Sequence, residues 1–191
     1  GLTLLSANIV DATTGELLFT PYILLEEQGK TIAILGLSDE DVLLAPNMDG
    51  VIDVLDPISQ AQVFVPELTE QADVIIVLSH LGVDLDQQLA ATLPEIDIVI
   101  GGNSQNVPTQ PELVGSTVMA RIQAYGAYIG RLTVKFSADN TITDAGAEAI
   151  HLDSTIADDE NVAAIVQKWL DLYPTPTADP DVTQTPSAQT Y

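Results

Sequence analysis

Hydrophobic residues form three short, continuous runs in the first half of the chain, at residues 31–37, 73–79 and 96–101. A run that is apolar at every position, rather than at alternate ones, is typical of a strand covered on both faces, as in parallel sheets. Stretches of helical pattern separate the runs. An order of strand, helix and strand indicates βαβ units with right-handed crossovers, so we expect an α/β fold in which these three strands are parallel neighbours.

Two helices are predicted between these strands. The first begins at Asp56-Pro57, where proline suits the first helical position, but Pro66 is expected to bend or break it. The second covers residues 84–92, with Asp84 as its N-cap.

The remaining strands include two predicted hairpins. Residues 3–10 and 17–25 are separated by a short polar turn and therefore indicate a hairpin. Later strands are predicted at residues 117–123, 130–136 and 141–152, with Asp139-Asn140 at the tip of a second hairpin.

The last predicted helix carries one apolar stripe and begins after acidic residues, which suit the positive end of the helix dipole. The stripe consists of Val162, Ile165, Val166, Trp169, Leu170 and Tyr173. Pro174 ends this helix, and residues 174–191 are rich in proline and threonine. We therefore predict a partial domain over residues 1–173, followed by a linker or docking tail over residues 174–191.

Charge and composition exclude several classes of protein. The chain has 191 residues, with 28 acidic against 5 basic side chains and a formal net charge of −23. Such a charge repels nucleic acids and anionic membrane surfaces, so we expect no nucleic-acid partner. The 46% of hydrophobic residues excludes a disordered acidic protein. No apolar run approaches the roughly 18 residues of a transmembrane helix, and without cysteine there is no thiolate metal site.

Polar residues follow two of the buried strands directly. His80 comes after residues 73–79, and the loop Gly101-Gly102-Asn103-Ser104-Gln105 begins at the end of residues 96–101. Ligands of open α/β sheets bind at the carboxyl ends of neighbouring parallel strands, so both segments should face one crevice. From the residues alone, His80 is either a metal ligand or a single hydrogen-bonded histidine, and the loop is either part of a site or a plain turn.

Other polar residues have simpler interpretations. Asp84 and Asp86 are either carboxylates that support the site or acidic residues of a helix start, and we favour the helix start. His151 is interpreted as a surface histidine. The acidic residues 39–56 lack the spacing and the glycine of a calcium-binding loop, which favours a solvated acidic face.

Taken together, these motifs resemble a known family. The segments Leu4–Ile9, Gly29–Leu37, Ala72–Gly82, Ile96–Gln105 and Gln123–Leu132 follow one another as in the 5′-nucleotidase branch of the calcineurin-like metallophosphoesterases. The resemblance extends over residues 3–173. It implies an α/β/β/α sandwich of which this chain encodes mainly the second sheet and lacks the N-terminal sheet portion. It also implies hydrolysis of phosphate esters by a metal-activated water at a dinuclear site.

The resemblance points to a vestigial or partial metal site at His80, Asn103 and Gln105. The family has a ligand histidine at the position of His80, and Gln105 matches one variant of the family loop. Asn103 replaces a histidine, which exchanges a strong imidazole donor for a weak amide oxygen. Tyr125 and Tyr128 resemble a family loop near the metals. Because the family's earlier Asp-x-His, Gly-Asp and Gly-Asn-His motifs do not occur in this sequence, we identify no catalytic residue.

Two functions remain open. We favour a degenerate, non-catalytic domain that acts as a structural or interaction subunit of an extracytoplasmic assembly, periplasmic or at the cell surface. Another chain or a second copy would cover the apolar sheet face that the absent N-terminal portion leaves open, and the chain alone would bind no cofactor. The alternative is the C-terminal piece of a split or processed phosphohydrolase. Its N-terminal half would complete a site for two divalent ions of the Mn, Zn or Mg type and a small phosphate ester.

Overall fold

The computed structural model describes residues 2–40, 43, 48, 50–104, 110–123 and 126–174. Its strands are β1 (Ile9–Asp11), β2 (Tyr22–Glu27), β3 (Lys30–Ser38), β4 (Ile52–Val54), β5 (Val74–His80), β6 (Ile98–Gly101), β7 (Glu112–Val114), β8 (Thr117–Arg121), β9 (Tyr128–Phe136) and β10 (Ile142–His151). Its helices are α1 (Pro57–Gln71), α2 (Val83–Thr92) and α3 (Glu160–Leu172). The chain divides into two compact units, Gly1–Leu152 and Asp153–Tyr191.

A six-stranded mixed sheet forms the centre of the first unit, in the order β2-β3-β5-β6-β8-β7. β3, β5, β6 and β8 are parallel, and β2 and β7 pair antiparallel at the two edges. The three continuous apolar runs are therefore parallel neighbours, as predicted. Their apolar character suits this arrangement, since helices bury one face of these strands and the other face is partly covered.

The helices α1 and α2 cover one face of this sheet. From the strands, Leu35, Val77, Val99 and Met119 join the core, together with apolar side chains of both helices. The helix residues in this core are Ile58, Ala61, Val65, Leu68, Leu89 and Ala90. Full burial of one such large side chain stabilises the fold by about 1.5–3 kcal/mol, so this layer holds the strand ends in place.

The opposite sheet face is covered unevenly. Leu78 and Ile100 are register neighbours on β5 and β6, and they are 43% and 36% exposed. Near the amino ends of the strands, Asn140 at the tip of the β9–β10 hairpin donates to Asp73 over 2.8 Å. The Lys30 ammonium lies 5.7 Å from the centre of the Phe136 ring in the same hairpin. The hairpin is thus fastened near the amino ends of the strands. At the other end, its residues 130–132 line a small cavity together with Ile100, and Leu78 and Ile100 stay partly exposed.

The prediction that residues 3–10 and 17–25 pair as a hairpin is wrong for most of these residues. Only Ile9 and Val10 of the segment 3–10 belong to a strand, β1, which continues to Asp11 and pairs with β4, a strand that the sequence did not predict. The second run forms β2 and pairs with β3, while a single bridge, Val10 to Leu17, joins the two runs as a hairpin would.

The reason lies in the buried side chain of Asn8. Its amide nitrogen donates to the carbonyls of Ser38 and Leu55 over 2.7 and 3.0 Å, and its oxygen accepts from the Ser38 amide over 2.9 Å. These bonds place the segment between β3 and the residue after β4. They replace a continuation of the hairpin ladder.

Both predicted helices of the first unit form, with corrected details. α1 continues through Pro66, so the expected break does not occur, because the neighbouring Val65 and Leu68 are buried in the core while the proline faces solvent. α2 begins one residue earlier than predicted, with Gly82 as its N-cap. Asp84 is therefore not the N-cap but a residue of the first turn. Gly82 suits the position before the helix because its φ of 86° is a conformation that favours glycine.

The helix of the second unit forms where it was predicted. Asp159 is its N-cap and accepts from the backbone amides of Asn161 and Val162. The helix ends at Leu172, before Pro174, and its apolar stripe is exposed. The proposed boundary between residues 173 and 174 stays a prediction. Within the ranges given above, no helix has both the length and the apolar character needed to span a bilayer.

We expect Pro66→Ala to stabilise the protein by about 1–3 kcal/mol, because alanine restores the amide that a helix would direct at the carbonyl of Gln62. Urea unfolding of the full chain measures this change. Glu70→Ala, an exposed substitution in the same helix, should change stability by less than about 0.5 kcal/mol. No gain from Pro66→Ala would show that the helix already accommodates the proline without loss.

We expect Asn8→Ala to destabilise the protein by about 2–4 kcal/mol, because the amide and carbonyl of Ser38 and the carbonyl of Leu55 all lose their partner. The same unfolding measurement applies, with Asn161→Ala as an exposed control that should be near neutral. Equal effects of the two substitutions would contradict the role given to Asn8.

Candidate functional site

The candidate site lies at the carboxyl ends of β3, β5 and β6. β5 is the middle strand of the three, and His80 at its end is the register partner of Ser38 on β3. On the other side, Ser79 is the register partner of Gly101 on β6. This order places the exposed imidazole of His80 between the two loops that leave β3 and β6.

The loop after β6 comes close to His80. The Gly102 amide donates to the Ser79 carbonyl over 2.7 Å. A Cβ atom at Gly102 would stand 3.0 Å from His80 Nδ1, so only glycine leaves the imidazole its present position. The structure therefore brings the two predicted segments to one place. Next to them is a cavity of about 380 Å³, lined by the start of α2 and by Asn103 and Ser104.

Asn103 is held by a neighbouring carboxylate. Its backbone has φ 57°, in the left-handed region that asparagine tolerates better than most residues. Its side-chain Nδ2 donates to Asp39 Oδ2 over 3.1 Å. Ser104 Oγ accepts from the Val83 amide over 3.1 Å, which fastens the loop to the start of α2 as well. The third predicted site residue, Gln105, lies outside the described residues, as does Tyr125.

A buried carboxylate supports this edge from the helix side. Asp86 accepts a hydrogen bond from the Ser79 hydroxyl, and Arg121 Nη2 donates to its Oδ2 over 3.0 Å. Asp86 is fully buried and Arg121 is 4% exposed. Asp86 does lie in the first turn of α2, as predicted, but its carboxylate is buried and supports the strand end instead of facing solvent. Its spacing to Leu89 and Ala90, three and four residues on, puts it on the buried helix face, and this periodicity was the signal available in the sequence.

Burial raises the pKa of Asp86, because desolvation disfavours its charged form. The hydrogen bonds from Ser79 and Arg121, and the nearby positive charge, lower the pKa and oppose this shift. The pair also explains Gly101, where a Cβ atom would stand 2.5 Å from Asp86 Oδ2 and 2.8 Å from Arg121 Nε. Among the residues that the structure describes, Arg121 Nε has no hydrogen-bond acceptor.

Of the other candidates, Asp84 lines the cavity beside Asn103, whereas His151 and Asp56 belong to other elements. His151 ends β10 and its ring centre lies 4.9 Å from that of Tyr128, within the hairpin. Asp56 caps α1, accepting from the Ser59 amide over 2.7 Å. A larger cavity, of about 730 Å³, is bordered by Asp73, Asp97 and the hairpin tip, at the amino ends of the strands. Burial raises the pKa of Asp97, whose carboxylate accepts from the Ile75 amide.

The described residues do not fit a dinuclear metal site. Within the parts of the chain that the structure covers, no group of three or more histidine, aspartate or glutamate side chains could hold a metal ion. Among the described residues at the strand ends, the groups with a metal-ligand atom are His80, Asp39, the amide oxygen of Asn103 and Asp84 in the neighbouring cavity. Asp86 is buried and accepts from Ser79 and Arg121. Two divalent ions need more ligands than this set offers.

Comparison with known proteins identifies relatives of the chain. No protein-family model matches it. The chain is 32% identical over 166 residues to the 5′-nucleotidase of Vibrio cholerae serotype O1, a match that covers 70% of this chain and 30% of that protein. It thus spans less than a third of the length of this curated relative.

Solved structures show the same relationship. A 5′-nucleotidase precursor from Thermus thermophilus superposes with a TM-score of 0.77 at 25% identity, covering 90% of this chain and 38% of that one. The calcineurin-like phosphoesterase YfkN from Bacillus subtilis shares the fold, with a TM-score of 0.72 at 20% identity over 90% of this chain and 62% of that one. These matches confirm the metallophosphoesterase-like α/β fold. The chain belongs to the 5′-nucleotidase branch of the metal-dependent calcineurin-like phosphoesterases, of which it carries a part.

Proposed function

We propose that this chain is a degenerate, non-catalytic member of its family that acts as a structural or interaction subunit of an extracytoplasmic assembly. The observation that carries the proposal is the side chain of Asn103, which stands at a ligand position of the family and donates a hydrogen bond to Asp39. An amide nitrogen that carries hydrogen cannot bind a metal ion, and the amide oxygen is a weaker ligand than imidazole.

The charges at the strand ends support this proposal. A phosphate ester that binds without metal ions needs cationic side chains, because the net charge of −23 repels it. Arg121 is buried against Asp86, and Arg131 and Lys135 are paired with Glu148 and Asp144 on the hairpin. The positive charge of each of these three side chains is therefore balanced by a neighbouring carboxylate.

The interaction role rests on the sheet face that carries Leu78 and Ile100. Both side chains lie on the same face as His80, opposite the helices, and both are exposed for more than a third of their area. Adjacent exposed apolar side chains on a sheet face favour burial against another chain or a second copy. Placement outside the cytoplasm is supported by the similarity to a 5′-nucleotidase precursor.

A second candidate function keeps the chemistry of the family. In this alternative the chain is the C-terminal piece of a split or processed phosphohydrolase of the 5′-nucleotidase type. An N-terminal piece would supply the remaining ligands for two divalent ions and a small phosphate ester. The observation in its favour is that His80 and the Gly102 loop lie together at the strand ends, where a ligand of the family would bind.

Metal content and turnover separate the two functions. We expect the protein purified with its natural partners to contain no stoichiometric Mn²⁺ or Zn²⁺ and to hydrolyse neither a nucleoside 5′-monophosphate nor a bis-aryl phosphate when Mn²⁺ is added. His80→Ala should then leave both readouts unchanged. Bound metal, together with turnover that His80→Ala abolishes, would overturn the non-catalytic proposal and establish the split enzyme.

Light scattering tests the interaction role. We expect the full chain to associate in solution, either with itself or with its natural partner. Leu78→Glu should weaken association by at least tenfold, because it places a carboxylate in the apolar contact. Val63→Glu, an exposed substitution on the solvent side of α1, should leave association unchanged. A monomer that binds no partner, or equal effects of both substitutions, would contradict the assignment of this face.

A further inference from the structure

The β9–β10 hairpin covers part of the sheet face opposite α1 and α2. Along β5, β6 and β8, Val74, Ile98 and Val118 alternate with residues of the core under the helices and therefore lie on the opposite face. All three are buried, whereas Leu78 and Ile100 on the same face are partly exposed. Residues of the hairpin line cavities together with Val118 and Ile100, so it is the hairpin that lies over this part of the sheet.

The hairpin is weakly joined to the sheet beneath it. Within the described ranges, β9 and β10 pair with each other and with no other strand. Every residue of the two strands is at least partly exposed. Two cavities, of about 730 and 120 Å³, lie between the hairpin and the sheet. A segment with few buried residues and incomplete packing opens at a lower free energy than the core does.

Hydrogen bonds at the tip hold the hairpin on the sheet. Asn140 Nδ2 donates to Asp73 Oδ1 over 2.8 Å, and Asn140 Oδ1 accepts from the Lys30 ammonium. Lys30 begins β3 and Asp73 directly precedes β5, so one side chain of the tip contacts two strands of the sheet. Away from the tip, Gln110 Nε2 donates to the Ala147 carbonyl over a longer 3.4 Å. Both bonds of Asn140 have a charged partner, and such bonds are stronger than those between neutral groups.

We propose that the β9–β10 hairpin, residues 128–151, is a latched strap that opens as a unit while the sheet and its helices stay folded. Asn140 is the latch. Opening uncovers Val74, Ile98 and Val118 and joins them to the apolar surface around Leu78. The latch therefore sets how much of this sheet face the protein presents. The inference goes beyond the proposed function, and it requires neither a partner nor a metal ion.

The backbone at Asn140 allows the latch to be removed without changing the turn. Its φ of 64° lies in the left-handed region, which glycine adopts without strain. Asn140→Gly therefore deletes the two side-chain bonds and keeps the backbone conformation. Gln28, in the turn between β2 and β3, has a similar φ of 52°. Gln28→Gly is thus a matched control, because it adds the same backbone freedom at another turn and leaves the latch intact.

Single introduced thiols measure the opening in the full chain, which contains no cysteine. Val118→Cys places a thiol beneath the hairpin, and Val99→Cys places one under the helices on the neighbouring strand. Both valines are fully buried. The reagent is the neutral disulfide dithiodipyridine, because the net charge of −23 repels an anionic one.

We expect the thiol of Val118→Cys to react about tenfold faster or more than that of Val99→Cys, because local opening exposes only the first. Asn140→Gly should accelerate the reaction of Val118→Cys by a further factor of about ten and leave that of Val99→Cys unchanged. Gln28→Gly should leave both rates unchanged. Circular dichroism verifies that each variant is folded, and Ile98→Cys is the second probe beneath the hairpin.

The other outcomes overturn the inference. Equal rates for the two thiols would mean that the face is uncovered only by global unfolding. Equal acceleration of both by Asn140→Gly would mean that this side chain stabilises the whole protein. No acceleration, or the same acceleration by Gln28→Gly, would mean that Asn140 does not hold the hairpin. None of these results bears on the proposed function, which the Leu78→Glu measurement tests separately.

Discussion

The arrangement at the strand ends depends on one buried carboxylate. Asp86 on α2 accepts from Ser79 on β5 and from Arg121 on β8, so a single side chain connects a helix with two strands of the sheet. A buried carboxylate is costly unless it is paired and hydrogen-bonded, and loss of one partner costs about 3–5 kcal/mol. The positions of the helix, the strands and the loop that starts at Gly101 are therefore coupled. A shift of any of them would separate the buried carboxylate of Asp86 from its hydrogen-bond partners.

This buried pair and the exposed donors above it have different tasks. Asp86 and Arg121 fix the positions of the strand ends from the helix side, while His80, Asn103 and Asp39 lie on the solvent side of the same ends. The hydrogen bonds between Asp86, Ser79 and Arg121 do not involve His80, Asn103 or Asp39, the side chains on the solvent side of the strand ends. For this reason the geometry of the strand ends does not depend on the exposed side chain of Asn103. Shape and chemistry are encoded by separate residues.

Sequence reasoning succeeded where one pattern determined the outcome. The continuous apolar runs required burial, which only a central parallel sheet provides, and the stripe of Val162 to Tyr173 allowed only a helix. Sequence reasoning failed where contacts between residues far apart in the sequence determine the local structure. β4 has three residues and exists because β1 pairs with it, and α1 passes Pro66 because the core holds Val65 and Leu68 on both sides. The burial of Asp86 was missed because its charge was given more weight than its position on the buried helix face. The neighbourhood of His80 and the Gly102 loop followed from topology, whereas the link from Asn103 to Asp39 spans 64 positions and has no local signal.

The two glycines at the end of β6 limit how this edge can change over evolutionary time. A side chain at Gly101 collides with Asp86 and Arg121 on one face, and a side chain at Gly102 meets His80 on the other. Substitution at Gly101 requires buried side chains to move, whereas substitution at Gly102 requires the exposed imidazole of His80 to give way by a few tenths of an ångström. Position 103 is the first residue of the loop whose side chain already has room, so new chemistry can arise there by a single codon change. Two constrained residues thus direct variation at this edge to position 103.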